Sequence, residues 1–128
     1  MSEPVFEITK AAIFDAAHSL DAHPEKGGPV DGRYRRMHGH SFRVEASVRG
    51  TQQGAVGWVA DLGALDTVLK ALATELDHGL LNEKPGLSSP TLENLCLYFA
   101  ERLRGEFPGL SRVVVSRPSV GESASLSL

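Results

Sequence analysis

The residues from His38 to Arg49 alternate in polarity with a period of two, the pattern of a β-strand with one buried face. One face carries His38, His40, Phe42, Val44, Ala46 and Val48, and the other carries Ser41, Arg43, Glu45, Ser47 and Arg49. An earlier stretch from Val5 to Ala17, rich in apolar and β-forming residues, predicts a second strand with His18 at its end. Residues 21 to 36, dense in Gly, Pro, Asp and charge, predict a long loop.

Two later segments have the period of an α-helix. Leucines at 62, 65, 69, 72 and 76 recur every three or four positions, Asp61 is placed to cap this helix, and Gly79 is its expected stop. A second helix is predicted from Thr91 to about Glu106, with Pro90 tolerated at its start. Its inner side is expected to hold Leu92, Leu95, Cys96, Phe99 and Leu103.

The order of the elements predicts an α+β fold. A short strand from Val113 to Ser116 and a last edge strand in the tail GESASLSL complete the series strand, strand, helix, helix, strand, strand. Helices set apart from an antiparallel sheet are typical of this class, and we expect one domain over residues 1–128. Two helices cover only one face of the sheet, so subunit contacts are expected to protect the other face and the edges.

Composition narrows the classes of function. The net charge is −3 and the basic residues are scattered, which argues against a nucleic-acid binder. The short cluster Arg33, Arg35 and Arg36 either meets an anionic small molecule or forms a solvated loop. Cys96 is the only cysteine, which excludes an intramolecular disulfide and fits a reducing cytosol. Without a secretory pattern at the start or a long apolar span, we expect a cytoplasmic protein that does not insert into membranes.

Three of the five histidines predict a metal site. His38 and His40 leave the same face of their strand, and His18 meets them if the two predicted strands pair. Three imidazoles leave a zinc ion with an open coordination position, as in catalytic sites. Alone, the HGH motif is a weak signal for a metal and fits surface or core histidines better. His23, in the predicted loop, is expected to be solvated rather than a ligand.

Five segments carry a family resemblance: FDAAH (14–18), MHGHSFRVE (37–45), GWVADLG (57–63), ELDHGLLNE (75–83) and PTLENL (90–95). In order and spacing they resemble the 6-pyruvoyltetrahydropterin and 6-carboxytetrahydropterin synthases, above all the bacterial queuosine-pathway branch. The resemblance implies a T-fold, in which subunits join their antiparallel sheets into a barrel, typically as a hexamer of two stacked trimers.

The resemblance also implies a chemistry and a set of residues for it. It implies Zn²⁺ held by His18, His38 and His40, and proton transfer by Asp77 and His78. The implied substrate class is a reduced pterin, 7,8-dihydroneopterin triphosphate, and the implied reaction is that of a lyase. From the residues alone, Asp77 and His78 also fit a helix-end pair favoured by the helix dipole. Thr91 and Glu93 either line the pocket or serve as the cap and first-turn acid of the second helix.

Two positions depart from the family pattern. Tyr34 stands where bacterial relatives carry a nucleophilic cysteine, and it either relays a proton or fills the space. Cys96 has the spacing of a buried packing residue and is not expected to replace that thiol. Arg117 stands where the family has a pterin-anchoring glutamate. Its side chain has donors only, which favours a ligand with carbonyl or carboxylate groups. We do not expect Glu122 to take over the anchoring role.

Three interpretations therefore stay open. The first is a zinc-dependent lyase or isomerase acting on a dihydropterin side chain. The second is a homologue that keeps a pterin-like pocket without the family reaction, either as a binding protein or with a different substrate. The third is a structural oligomer.

Overall fold

The computed structural model describes residues 3–20 and 32–128, and its centre is a four-stranded antiparallel sheet. In chain order the strands and helices are β1 (Phe6–His18), α1 (Gly32–Arg35), β2 (His38–Gly50), α2 (Leu62–Leu76), α3 (Leu92–Leu103), β3 (Leu110–Arg117) and β4 (Glu122–Ser127). The strands lie in the order β1-β2-β3-β4. Helix α2 packs on β1, and α3 packs on β3 and β4. The predicted α+β class is confirmed.

The pairing of β1 with β2 follows the alternation in the sequence. Phe14 lies opposite Phe42, and their rings stack with centroids 5.0 Å apart. These inner-face residues are buried against the helices, whereas Ile13 and Arg43 on the outer face are exposed. The observed β1 begins and ends one residue later than predicted, so His18 is its last paired residue, opposite His38.

Helix α2 has the predicted bounds and the predicted cap. Asp61 Oδ1 accepts hydrogen bonds from the backbone N–H groups of Gly63 and Ala64, at 2.8 and 3.2 Å. Its buried stripe is Leu65, Leu69, Ala73 and Leu76. The expectation that Leu62 belongs to the stripe is wrong, because this first helical residue is 42% exposed and Ala73 completes the inner face instead.

Helix α3 is shorter than predicted. Thr91 is its N-cap, with Oγ1 accepting from the Asn94 N–H at 3.1 Å, and the helix ends at Leu103 rather than near Glu106. Gly105 is a poor helix former, and the buried Phe107 turns the chain back towards the sheet. All five residues predicted for its inner side are buried. Within the described residues, no helix has the length and hydrophobicity needed to span a membrane.

Two other predicted elements change their extent. Strand β3 runs from Leu110 to Arg117, longer than Val113 to Ser116, because pairing with β2 and β4 recruits polar residues at both ends. The tail forms the predicted edge strand β4. Of the predicted loop, residues 32–35 form the short helix α1, while residues 21–31, including His23, lie outside the described part of the chain.

The segment after α2 is fastened to the end of β1. Ala17 N–H donates to Gly79 O at 2.9 Å, and the Asn82 side chain both accepts from Ser19 N–H and donates to Ser19 O, each at 2.9 Å. His78 adopts a left-handed backbone, with φ of 57°, and its N–H donates to Asp15 O at 2.6 Å. These bonds bring the end of α2 beside the histidine end of the sheet.

The stacked phenylalanines are the centre of the core, and truncating one should be costly. Phe14 also contacts Phe99 of α3, with centroids 5.9 Å apart. We predict that Phe14→Ala lowers the free energy of unfolding by about 3–5 kcal/mol, through lost burial and a residual cavity. Chemical denaturation measures this. The matched control is Ile13→Thr on the exposed outer face, for which we expect a change within about 0.5 kcal/mol. Equal effects of the two changes would contradict this account of the core.

Candidate functional site

Three histidine side chains converge at one end of the sheet. His18 closes β1, and His38 and His40 open β2, so the strand register places all three on the inner face. His18 is fully buried, and the other two are half-buried. One ring nitrogen from each residue lies within 4.8 Å of the other two. The structure therefore brings together the three predicted metal ligands.

The tautomers of two of these rings are set by backbone carbonyls. His18 Nδ1 lies 3.1 Å from Pro90 O, and His38 Nδ1 lies 2.6 Å from Arg36 O. A carbonyl only accepts, so each Nδ1 carries the proton and each neutral ring presents an Nε2 lone pair. These two Nε2 atoms are 3.0 Å apart, and His40 Nε2 is buried without a hydrogen-bond partner.

This donor set fits a metal ion. Two facing lone pairs repel each other, and an unpartnered buried nitrogen is costly, but a cation bound between them satisfies all three atoms. Nitrogens bound to one zinc at about 2.0–2.1 Å lie roughly 3.4 Å apart. The observed spacings, 3.0 Å between two of the nitrogens and at most 4.8 Å within the set, are close to that value. The His cluster could thus hold a metal ion.

Burial favours the neutral form of His18 and His40, the form that binds a metal. Loss of solvation, opposed by the bond to Pro90 O, lowers the pKa of His18 from 6.5 to about 4. The pKa of His40 is also lowered, first by burial and then by the positive charge of Arg117. Proton competition with a metal at these two ligands is therefore weak near neutral pH.

A polar chain connects Tyr34 to the histidines. The Tyr34 hydroxyl donates to Glu122 Oε2 at 2.6 Å, and Glu122 Oε1 forms a 3.1 Å ion pair with Arg117 Nε. Arg117 Nη1 lies 3.4 Å from His18 Nε2. The hydrogen bond to Glu122 raises the pKa of Tyr34 above its ordinary value, so Tyr34 is a neutral donor here rather than a base.

Asp77 and His78 form a hydrogen-bonded pair at the end of α2. Asp77 Oδ1 accepts from Asp15 N–H at 2.7 Å, and Oδ2 accepts from His78 Nδ1 at 2.8 Å. The bond to Asp15 lowers the pKa of Asp77, and the bond to Asp77 raises the pKa of His78. The imidazole side chain is 82% exposed. The pair can therefore exchange a proton with solvent or with a ligand through Nε2.

Two clefts meet at His40. The first, here the His78 cleft, has a volume of about 620 Å³ and includes Asp15, His40, Ser41 and His78 in its wall. The second, the Tyr34 cleft, has a volume of about 560 Å³ and is lined by Arg33, Tyr34, His38, Gly39, His40, Ser119, Val120 and Glu122. A ligand that reaches His40 thus has Tyr34 on one side and His78 on the other.

Three of the other candidate site residues lie outside the walls of these two clefts. Thr91 caps α3 and Glu93 lies exposed in its first turn, and neither is among the residues that line the two clefts. Arg117 is buried, at 6% exposure, behind the histidines rather than in a cleft wall. Cys96 is a buried packing residue, and burial raises the pKa of its thiol.

Several features of the site lack a clear signal in the sequence. The carbonyls of Pro90 and Arg36 orient two imidazoles, and a carbonyl has no sequence signature. Ser41 Oγ donates to Asp15 Oδ1, which adds a carboxylate to the His78 cleft. Glu122 enters the Tyr34 cleft because the β3–β4 register pairs it with Arg117. Once the turn at 118–121 is known, counting residues outward from it along the β3–β4 hairpin places Glu122 opposite Arg117.

The chain is similar to known proteins along most of its length. A model of the family described as 6-pyruvoyl tetrahydropterin synthase matches residues 7–127. A 6-carboxy-5,6,7,8-tetrahydropterin synthase of Synechocystis is 38% identical over 114 residues, covering 84% of this chain and 83% of that protein. A dihydroneopterin monophosphate aldolase of Pyrococcus furiosus is 35% identical over 102 residues, covering 80% of this chain and 78% of that protein.

Solved structures share the fold. A Caenorhabditis elegans 6-pyruvoyl tetrahydropterin synthase superposes with a TM-score of 0.82 at 21% identity, covering 100% of this chain and 99% of that one. A Plasmodium vivax 6-pyruvoyltetrahydropterin synthase gives a TM-score of 0.71 at 19% identity, covering 97% of this chain and 98% of that one. These superpositions confirm the T-fold of the single subunit, an antiparallel sheet backed by two helices.

The buried, neutral His18 predicts a pH dependence of stability in the metal-free protein. Its folded pKa of about 4 lies below the ordinary 6.5, so the unfolded chain binds the extra proton first as the pH falls. We predict that the stability difference between the wild type and His18→Gln shrinks as the pH falls from about 6.5 to about 4. Chemical denaturation across this range measures the difference.

His78 provides the matched control because its pKa is raised. Its contribution to stability is fully present below the ordinary pKa and is lost as the pH rises through the folded value. The difference between the wild type and His78→Gln should therefore hold constant over the same acid range. A His18 difference that also stays constant would contradict the burial argument.

Proposed function

Because this chain belongs to the 6-pyruvoyl tetrahydropterin synthase family, we propose that it is a zinc-dependent lyase acting on the side chain of a reduced pterin. One observation carries the proposal. Two Nε2 lone pairs, of His18 and His38, face each other at 3.0 Å beside the unpartnered Nε2 of His40. Three neutral imidazoles with an adjoining cleft are the donor set of a catalytic zinc site with an open position.

The residues around the three histidines have separate roles in substrate binding and proton transfer. Bound zinc would polarise a hydroxyl or carbonyl group of the substrate side chain. His78 Nε2 accepts a proton from the side chain in the His78 cleft, and the Asp77 carboxylate on Nδ1 stabilises the resulting imidazolium. The exposure of His78 then lets that proton exchange with solvent.

Tyr34 supplies a second polar group on the other side of His40. Its hydroxyl donates its one proton to Glu122, so we assign its oxygen the acceptance of a hydrogen bond from the substrate side chain and the relay of a proton between that side chain and Glu122. It does not act as a nucleophile. Arg117 supports this arrangement from behind the histidines, through its ion pair with Glu122. Thr91 and Glu93 act indirectly, as the N-cap and first-turn acid of α3. The residue before this cap is Pro90, whose carbonyl orients His18.

Two substrates are the leading candidates. The resemblance of the five sequence segments favours 7,8-dihydroneopterin triphosphate and a place in the queuosine pathway, and the similarity to the Synechocystis 6-carboxy-5,6,7,8-tetrahydropterin synthase agrees with this candidate. The similarity to the Pyrococcus furiosus dihydroneopterin monophosphate aldolase, together with Tyr34 in the place of a thiol, favours carbon–carbon cleavage of dihydroneopterin monophosphate as the second candidate. A homologue that binds a pterin-like molecule without turnover is the competing proposal.

We further propose that the protein is a cytoplasmic homo-oligomer, a hexamer of two trimers. Among the described strands, β1 and β4 are each paired on one side only, so their outer edges can pair with neighbouring subunits. Light scattering combined with size-exclusion chromatography measures the number of subunits.

Two histidine variants should distinguish the loss of metal binding from the loss of proton transfer. We predict that His38→Ala loses most of the bound zinc and all detectable turnover, because a metal ligand is missing. His78→Ala should keep wild-type zinc and lose about 10²-fold or more in kcat, because only proton transfer is impaired. Elemental analysis measures zinc, and product assays with both candidate substrates measure turnover.

The outcomes distinguish the competing proposals. The products sought are acetaldehyde with a 6-carboxy or 6-pyruvoyl pterin from the triphosphate, and side-chain cleavage products from the monophosphate. Zinc without product from either substrate would leave a homologue that binds a pterin-like molecule or acts on a different substrate. The absence of both zinc and pterin binding would leave only a structural oligomer.

Tyr34 gives a separate test of the relay. Tyr34→Phe removes one hydroxyl and keeps the ring, so we predict a loss in kcat of about 10²-fold with zinc content unchanged. The control is Tyr98→Phe. Tyr98 lies in α3 outside the walls of both clefts, and the Arg102 guanidinium packs over its ring. An unchanged or increased rate in Tyr34→Phe would rule out the relay.

A further inference from the structure

A buried positive charge touches the candidate metal centre. Arg117, at 6% exposure, places Nη1 3.4 Å from His18 Nε2. That nitrogen is one of the three that converge, and its lone pair is available because His18 Nδ1 donates to Pro90 O. A guanidinium carries only donors, so it interacts with the same lone pair that a metal ion would take.

Arg117 is held in this position by Glu122. The two residues are directly opposite each other on β3 and β4, and their ion pair spans 3.1 Å between Nε and Oε1. The other carboxylate oxygen accepts the Tyr34 hydroxyl. Moving the guanidinium away from the histidines would break its ion pair with Glu122 and leave a buried charge without a partner, which is strongly unfavourable. The positive charge is therefore a fixed part of the site.

The Arg117 guanidinium and the Glu122 carboxylate have opposite effects on a bound cation. A metal ion among the three imidazoles repels the guanidinium at short range in a poorly solvated site. The Glu122 carboxylate attracts the ion and offsets part of that repulsion.

We propose that the Arg117–Glu122 pair sets the affinity of the histidine centre for its metal: Arg117 weakens metal binding, and Glu122 partly restores it. The proposal rests on the proposed function only in taking the three histidines as the ligands. The fixed positive charge also favours an anionic oxygen at the open coordination position.

The test compares two variants that break the same ion pair. Co²⁺ is titrated into metal-free protein at about pH 8, above the ordinary imidazole pKa, and its absorption spectrum reports binding. Competition with a chelator gives the affinity for Zn²⁺. We expect Arg117→Met to bind Co²⁺ at least about tenfold more tightly and Glu122→Gln at least about tenfold more weakly than the wild type. Arg117→Lys, which keeps the charge, should stay close to the wild type.

The deciding result is that Arg117→Met and Glu122→Gln change the affinity for Co²⁺ in opposite directions. If the ion pair only supports the structure, both variants shift the affinity in the same direction, and the proposal is overturned. Arg112→Met is the matched control, because this exposed arginine of β3 pairs with Glu7 on the outer face, and we expect no change in affinity. Thermal unfolding checks that each variant is folded, and Arg117→Gln replaces Arg117→Met if the latter is not.

The failure of this proposal can be told apart from the failure of the proposed function. If the wild type binds Co²⁺ through the histidines and Arg117→Met binds it equally or more weakly, the affinity proposal alone is wrong. If neither the wild type nor Arg117→Met binds Co²⁺, the metal centre and this proposal are both wrong.

Discussion

The antiparallel pairing of β1 with β2 is the constraint on which the candidate site depends. Strand register has a period of two, so a slip of one residue would turn His18 away from the face that carries His38 and His40. The stacked rings of Phe14 and Phe42, a few residues further along the same pair, hold that register by burial. The same interaction that forms the core therefore aligns the three imidazoles.

The ends of the two main helices complete the site from opposite sides. The Pro90 carbonyl before α3 fixes the tautomer of His18, and the turn after α2 presents Asp77 and His78 beside Asp15. The first contact uses the carbonyl of the residue before the Thr91 cap, and the second joins the Asp77 side chain to the backbone N–H of Asp15. The cluster is thus supported by the fold as a whole, and its charges, including the buried Arg117–Glu122 pair, lie in a poorly solvated region where they act strongly.

Much of the fold could be predicted from local patterns because those patterns match the local physics. The alternation in β2, the leucine spacing and the Asp61 cap of α2, and the inner side of α3 all depend on residues near one another in the chain. The errors lie at element ends. Helix α3 stops at Leu103, and β3 extends to Arg117, because packing of Phe107 and pairing with β2 and β4 decide those ends. Such contacts join residues far apart in the chain.

By itself, the sequence determined the α+β class, the three histidines as candidate ligands and the Asp77–His78 pair, because residue type and spacing carry those features. Only the tertiary structure decided that a carbonyl orients His18, that Glu122 reaches Tyr34, and that Arg117 lies behind the histidines rather than in a cleft wall. The physical reason is that these three outcomes depend on strand register and helix placement. A short pattern in the sequence describes what one element prefers, whereas the charge and geometry of this site arise where the four strands meet the ends of both main helices.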